Sequence, residues 1–164
     1  MGEKNTLTIL GLGNILLGDE GFGVHFVRWF AERYRLPIGV EIVDGGTMGY
    51  MLLDIVCRCQ ALIVIDCLKI DDSPGSLYRF TRAQLEERLP PPTSAHEVKF
   101  ADVLCKAEML GECPDLIFLC IAPERYKEME LEMTAAVRSR FPAMEALLME
   151  ELAKRGIKPE AVHA

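Results

Sequence analysis

The chain has 164 residues, of which 50% are hydrophobic and 26% are charged, and its formal net charge at pH 7 is −7. This length and composition predict one globular domain covering residues 1–164, with enough apolar side chains to form a core. The acidic balance argues against nucleic acid or an anionic membrane as a partner, and no apolar run is long enough to span a bilayer.

In the first half of the chain, apolar segments alternate with segments of helical periodicity. Residues 6–13 predict a strand, and the apolar side chains after it recur at helical spacing as far as Tyr34. Residues 40–44 predict a second strand and residues 49–58 a helix. Residues 61–67 form a continuous apolar run, which is typical of a strand buried on both faces of a parallel sheet.

The second half continues the alternation. Residues 76–80 predict a short edge strand, and two capping boxes, residues 81–84 and 94–97, each predict the start of a helix. Residues 116–122 predict another buried strand. A final helical region covers residues 134–155, in which Pro142 either kinks one helix or opens a second. The expected fold is therefore α/β, a doubly wound, mostly parallel sheet of about five strands with helices on both faces.

The turn after the first strand is the most informative part of the chain. Residues 11–23 read Gly-Leu-Gly-Asn-Ile-Leu-Leu-Gly-Asp-Glu-Gly-Phe-Gly, and a strand, a glycine-rich turn and a helix together mark a ligand crevice. Asp19 and Glu20 would repel a phosphate and suit a cation better. Leu16 occupies the place of the third glycine of a dinucleotide fingerprint, although Asp44 lies where a ribose-binding acid would. Nucleotide binding therefore remains an alternative.

Other candidate ligands also follow predicted strands. The carboxyl ends of parallel strands meet at one edge of a sheet, so we expect these side chains to converge. Imidazole suits nickel, zinc, copper or iron, carboxylates broaden the range, and three protein ligands leave coordination positions open. Structural roles are also open, since Glu20 would complement a helix N-terminus and Asp66 would cap a turn. The candidates are Asp19, Glu20, Asp44, Asp66 and His96.

The remaining chemistry-bearing residues carry less information. The six cysteines show no Cys-x-x-Cys pair and no zinc spacing, which favours small core residues in a reducing cytoplasm. The Gly-x-Ser-x-Gly and His-Glu-x-x-His signatures of common hydrolases do not occur. The residues alone therefore predict a metal-binding crevice without naming its reaction.

Four motifs in this order resemble the hydrogenase maturation endopeptidases, which trim a C-terminal peptide from the large-subunit precursor of nickel–iron hydrogenases. They are residues 11–23, the Asp-Gly-Gly-Thr-Met-Gly of residues 44–49, the Ile-Asp of residues 65–66, and the Ser-Ala-His-Glu of residues 94–97. The resemblance extends over roughly residues 6–155. It implies a cytoplasmic endopeptidase whose partner is the [NiFe] hydrogenase large-subunit precursor.

The resemblance also implies a metal site. By similarity, Glu20, Asp66 and His96 bind the nickel ion that the precursor already carries, so that only a metal-loaded precursor is cut. The sequence departs from the family beside this set, because Cys67 follows Asp66 where a small residue such as Ala is usual. A non-catalytic nickel-sensing or nickel-delivery module with the same three ligands is the alternative.

The second motif carries the expected cleavage residues. By similarity, Asp44, Gly45, Gly46 and Thr47 take part in substrate handling or cleavage. One mechanism uses Asp44 as general base, with the amides of Gly45 and Gly46 facing the oxyanion. In the other, nickel polarises the scissile carbonyl or activates water. Both mechanisms remain open at this point.

Overall fold

We describe the protein from a computed structural model, which covers residues 5–88 and 95–162, without the side chains of residue 88 and residues 95–99. A five-stranded sheet forms its centre, in the order β3-β1-β4-β6-β5. The first four of these are mutually parallel, and β5 runs antiparallel to β6 at the edge. The strands are β1 (Asn5–Leu12), β2 (Tyr34–Arg35), β3 (Val40–Gly46), β4 (Cys59–Cys67), β5 (Leu77–Thr81), β6 (Asp115–Ile121) and β7 (Glu160–Ala161).

Helices cover both faces of this sheet, as the sequence predicts. One apolar cluster lies under α1 and α6, and a second lies under α2 and α4. Short 3-10 turns at Gly18–Gly21 and Gly49–Met51 precede two of the helices. The helices are α1 (Phe22–Arg33), α2 (Leu52–Cys57), α3 (Arg82–Arg88), α4 (Ala95–Met109), α5 (Ala135–Arg138) and α6 (Phe141–Lys154).

Strand β4 is central because its side chains are apolar on both faces. Ile63 and Ile65 pack on the side of α1, Leu62 and Val64 pack on the side of α4, and all four are fully buried. Side chains alternate across a strand, so each helical layer receives every second residue. The continuous apolar run thus correctly predicts a doubly covered parallel strand.

The structure resolves the open choice at Pro142 and adds one small element. Pro142 lies in the first turn of α6, where its missing N–H removes no hydrogen bond, so the region of residues 134–155 is two helices. In the predicted capping box at residues 81–84, Gln84 Oε1 accepts a 2.9 Å hydrogen bond from the Thr81 amide. The β2–β7 pair was not predicted, because two-residue strands are too short for a hydrophobic pattern. Within the described chain, no helix is long and apolar enough to cross a membrane.

A buried carboxylate fastens the edge strand β5 to α6. Glu151 is 1% exposed and accepts hydrogen bonds from Arg79 Nε at 2.5 Å, Lys154 Nζ at 2.7 Å and Arg155 Nη1 at 2.9 Å. Burial alone would raise the pKa of Glu151, but the hydrogen bonds from the three cations outweigh burial and lower the pKa to about 2.

We expect Glu151→Gln to lower the free energy of unfolding at pH 7 by about 2 kcal/mol. The folded pKa lies below the ordinary carboxyl value of 4.5, so the contribution is complete above pH 4.5 and is lost as the pH falls towards 2. Urea unfolding of both proteins between pH 7 and pH 3 should show the difference shrinking by more than half. A difference that stays constant over this range would contradict the assignment.

Candidate active site

Glycines in the first turn let α1 approach the sheet more closely than other residues allow. A Cβ atom on Gly23 would lie 2.1 Å from the Ile65 carbonyl oxygen and 2.3 Å from that of Leu12. A Cβ on Gly11 would lie 2.3 Å from the Gly23 carbonyl oxygen. Backbone therefore packs directly on backbone here, which only glycine permits. The 3-10 turn at Gly18–Gly21, just before α1, is consequently held against β4 at the carboxyl edge of the sheet.

Glu20 is buried in this turn and is paired with a lysine. Its side chain is 2% exposed, and the Lys69 ammonium donates to Glu20 Oε1 at 3.0 Å. Lys69 belongs to the segment after β4, and only 9% of its side chain is exposed. A buried carboxylate needs such a partner, because desolvation penalises an isolated charge. The negative charge of Glu20 is therefore compensated by this ammonium in the structure.

Asp66 lies one residue before the end of β4 and follows the alternation of that strand. It shares the face of Leu62 and Val64, the face that α2 and α4 cover. One of its carboxylate oxygens accepts a 2.7 Å hydrogen bond from the Cys67 amide, and the residue is half-buried. Asp66 therefore faces the α4 layer at the carboxyl edge, three residues before Lys69.

The start of α4 reaches the same edge. Phe100 of α4 packs edge-on against Phe118 of β6, with ring centroids 6.5 Å apart, and Phe118 pairs in register with Val64. Asp66 lies two residues beyond Val64, a step of about 6 Å along the strand towards the carboxyl edge. Position 96 lies one helical turn before Phe100, which is also a step of about 6 Å towards that edge. The fold thus brings position 96 to the level of Asp66. The His96 side chain lies outside the described residues.

Asp44 is placed differently. It pairs in register with Gly11, which pairs in turn with Ile65, so two strand spacings put Asp44 and Ile65 about 10 Å apart. Its neighbour on the same face of β3 is Ile42, which packs on the side of α1, whereas Asp66 faces α4. Asp44 Oδ2 accepts from Arg28 Nε at 2.8 Å and lies 2.5 Å from Arg28 Nη2.

The glycines after Asp44 form an irregularity in β3. The pairing with β1 shifts between Gly11 and Leu12, so that Leu12 lies opposite Gly46 and Gly45 is the extra residue of a bulge. A Cβ on Gly45 would lie 2.7 Å from Leu10 Cδ1, and Gly46 has a φ of 45°. Thr47, which follows, lines a narrow cleft beside Leu12 and Gly46. The Gly46 carbonyl accepts a 3.1 Å hydrogen bond from the Gly13 amide, so the bulge lies beside the turn that carries Glu20. Phe100 of α4 lines the same cleft as Thr47.

The predicted residues therefore fall into two groups. The turn of Glu20 contacts β4, which carries Asp66 at its end, and the helix geometry brings position 96 to the level of Asp66. Asp44 lies two strands from Asp66 and on the other face, and the bulge after it borders both the loop after β1 and α4. Among the side chains that the structure describes, no three metal-ligating groups form a cluster. The His96 imidazole is not one of the described side chains. The described side chains of the first group are the carboxylates of Glu20 and Asp66, with the Lys69 ammonium bonded to Glu20.

The thiol beside this group is neutral. Cys67 is buried, and burial raises the pKa of its thiol well above the ordinary value, as do the carboxylates of Asp66 and Glu20. A thiol ligates metals and attacks carbonyls as its thiolate. Cys67, the residue that departs from the family pattern, packs in the core cluster under α1, and its raised pKa favours the thiol over the thiolate.

Asp19 is fully buried and organises a separate segment. Its carboxylate accepts hydrogen bonds from the amides of Glu124 at 2.9 Å, Arg125 at 3.0 Å and Thr134 at 2.7 Å, and from the Thr134 hydroxyl at 2.9 Å. The Gly18 amide also donates to the Glu130 carbonyl at 2.6 Å. Asp19 thus fixes residues 123–134 over the turn that carries Glu20, and its carboxylate is used for structure.

We expect Asp19→Asn to lower the free energy of unfolding by about 3 kcal/mol, because the amide nitrogen would face backbone donors. Urea unfolding measures this loss. As a matched control, Glu132→Gln changes a carboxylate on the same segment whose side chain is 84% exposed, and it should leave the free energy of unfolding within about 0.5 kcal/mol. Equal stability of the two variants would contradict the structural role of Asp19.

Two cations near the candidate residues were missed by sequence reasoning. Lys69 pairs with Glu20 and Arg28 pairs with Asp44. His25, one turn from Arg28 on α1, is half-buried, and burial followed by the charge of Arg28 lowers its pKa. The spacing of Arg28 on α1 places it off the apolar stripe, which is a weak signal that it faces the end of a strand. No pattern in the sequence indicates the pairing of Lys69.

Comparison with known proteins defines the class of the chain. Residues 24–151 match the family described as hydrogenase maturation protease. The chain therefore belongs to the hydrogenase maturation protease family and is a hydrolase.

Individual relatives agree with this assignment along the whole fold. The chain is 34% identical over 162 residues to the hydrogenase 2 maturation protease of Escherichia coli, covering 96% of this chain and 98% of that protein. It is 34% identical over 157 residues to the hydrogenase expression/formation protein HoxM of Azotobacter vinelandii, covering 92% and 74%. The solved structure of the hydrogenase maturating endopeptidase HybD from E. coli superposes with a TM-score of 0.89 at 30% identity, covering 95% and 97%.

Proposed function

We propose that this protease removes the C-terminal extension of a nickel-loaded [NiFe] hydrogenase large-subunit precursor and recognises its substrate by the bound nickel ion. The observation that carries the proposal is the meeting of the Glu20 turn, Asp66 and position 96 at one edge of the sheet, in a chain of the maturation protease family. The processing role follows from the family, and the nickel role rests on these three positions.

The donor set suits an ion that arrives on the substrate. In the proposal, Glu20 and Asp66 supply carboxylate oxygens and His96 supplies an imidazole nitrogen, a mixture that binds nickel and leaves coordination positions open. Groups of the precursor fill those positions. The ion then belongs to the substrate, and the enzyme needs only moderate affinity for it.

Cleavage would take place at the second group of residues. Hydrolysis requires a water molecule to attack the scissile carbonyl carbon while a base accepts its proton, and the amide nitrogen must gain a proton to leave. We assign the base to Asp44, whose Oδ2 is held by Arg28, and Oδ1 is the oxygen that would accept the proton. Since Asp44 lies about 10 Å from the end of β4 and on the other face, the nickel ion would act in recognition rather than on the carbonyl.

Exposed apolar side chains around the same edge support a protein substrate. They lie on the segments that follow β1, β3 and β6, whereas a metal-sensing module that binds only an ion would need no such surface. Large exposed apolar side chains close to one another mark protein interaction surfaces. They are Leu16, Met48, Met51, Met129 and Leu131.

The test is incubation of the purified chain with a co-expressed, nickel-loaded precursor, followed by mass spectrometry of the large subunit. The proposal expects a large subunit shortened at its C-terminus. A sensing or delivery module would bind nickel and leave the mass of the precursor unchanged. A nucleotide-binding domain would show a thermal shift with a dinucleotide and none with nickel.

A further inference from the structure

We infer that Lys69 is a built-in competitor for the cation site at Glu20, which keeps free metal ions out and yields to an ion presented by the substrate. The Lys69 ammonium lies 3.0 Å from Glu20 Oε1, and both side chains are almost completely buried. A divalent ion that takes this oxygen must displace the ammonium. The inference rests on the proposed function only in its choice of Glu20 as a ligand.

The burial of the pair makes this displacement costly. In water the attraction between two charges at this distance is weak, but in a buried site it is strong, and breaking a buried pair leaves a charge without compensation. A free hydrated ion gains only the protein ligands in exchange. When the ion is bound to the precursor, contacts between the enzyme and the rest of the substrate add to the binding free energy. They offset the cost of displacing the ammonium.

The Tyr126 ring is a second partner that the Lys69 ammonium contacts while it is bonded to Glu20. Lys69 Nζ lies 5.1 Å from the centroid of the Tyr126 ring, within the range of a cation–π interaction. Tyr126 belongs to the segment of residues 123–134 that the Asp19 carboxylate fixes through the amides of Glu124 and Arg125. An ammonium that leaves the carboxylate can therefore keep this aromatic contact without becoming fully hydrated.

The test compares Lys69→Gln with Lys127→Gln in the full chain. Glutamine removes the positive charge but still donates a hydrogen bond to Glu20. Lys127 is the matched control, because its ammonium lies 5.8 Å from the same Tyr126 ring on an exposed side chain. Isothermal titration of the metal-free enzymes with Ni²⁺ should show at least a tenfold tighter dissociation constant for Lys69→Gln, and an unchanged one for Lys127→Gln.

Equal affinity of Ni²⁺ for all three proteins, or absence of binding by all three, would overturn the inference. Because Lys69→Gln can destabilise the chain, circular dichroism establishes that it is folded, and Lys69→Met provides a second uncharged side chain of similar length. If both variants melt below the temperature of the titration, the inference expects added Ni²⁺ to raise their melting temperature more than that of wild type, and an equal or smaller rise would overturn it.

A separate readout distinguishes this inference from the proposed function. Free Ni²⁺ added to a processing assay should inhibit Lys69→Gln at one tenth or less of the concentration that inhibits wild type. If wild type does not process the precursor at all, the proposed function fails, while the titration still decides the role of Lys69. If free Ni²⁺ inhibits both enzymes equally and binds both with the same dissociation constant, the competitor role of Lys69 is rejected. The proposed function is not affected by that result.

Discussion

Glu20→Gln should reduce processing of nickel-loaded precursor by at least about a hundredfold at a temperature where the variant is folded. Glutamine keeps the size and one acceptor oxygen of the side chain, so the hydrogen bond from Lys69 can persist, but the buried ammonium loses its counter-charge and the variant loses stability. The negative charge that attracts a divalent ion is lost, and the uncharged amide oxygen is a weaker ligand. Initial rates of large-subunit shortening at several precursor concentrations measure the effect, which should appear mainly as a raised KM.

Asp19→Asn is the matched comparison for this variant, because the two acids are adjacent in the same 3-10 turn. Asp19 contacts backbone donors of residues 123–134 and acts through the fold, so its variant should lose stability first. At a temperature where both variants are folded, Glu20→Gln should be the slower enzyme. Equal losses of processing would mean that the two acids act only through the negative charge they add to the site, and that neither is a metal ligand.

His96→Ala should abolish processing without unfolding the protein. Position 96 is in the first turn of α4, and among the described side chains of this helix Phe100, Val103 and Ala107 pack in the core. These contacts do not involve the residue at position 96, so the substitution should leave them intact. The substitution removes the imidazole, which is the one nitrogen ligand in the proposed set for nickel.

The neighbouring variant Glu97→Gln is the control for His96→Ala. The sequence assigns Glu97 to a capping box, so glutamine should preserve both helix and activity. Circular dichroism and the processing assay together decide the outcome. Ordinary turnover by His96→Ala would refute the ligand assignment, and loss of its helical signal would instead support a structural role for the imidazole.

Most of the fold was predictable because short stretches of the sequence determine the structure of each element. The apolar run of β4 and the glycine spacing before α1 each have one favourable geometry, a buried parallel strand and a close backbone approach. The edge strand β5 was predicted as a short strand at residues 76–80. The β2–β7 pair was missed, since its two partners are far apart in the chain and only two residues long.

The site was predictable in part, for a related reason. Topology brings the ends of parallel strands together, so the meeting of Glu20, Asp66 and position 96 follows from the order of the elements. Side-chain direction and long-range pairing do not follow from it. The bond network of Asp19, the pairing of Asp44 with Arg28, and the Lys69 ammonium at Glu20 each join residues 16 or more positions apart.

The most direct test of the account is a comparison of two forms of the same precursor with the metal-free enzyme. One form is isolated with nickel bound and the other from cells grown without nickel, and both are incubated in the presence of a chelator that does not strip the bound ion. The account predicts shortening of the nickel-loaded large subunit and an unchanged mass for the metal-free one. Cleavage of the metal-free precursor at the same rate would contradict nickel recognition and would reassign Glu20, Asp66 and His96 to direct catalysis.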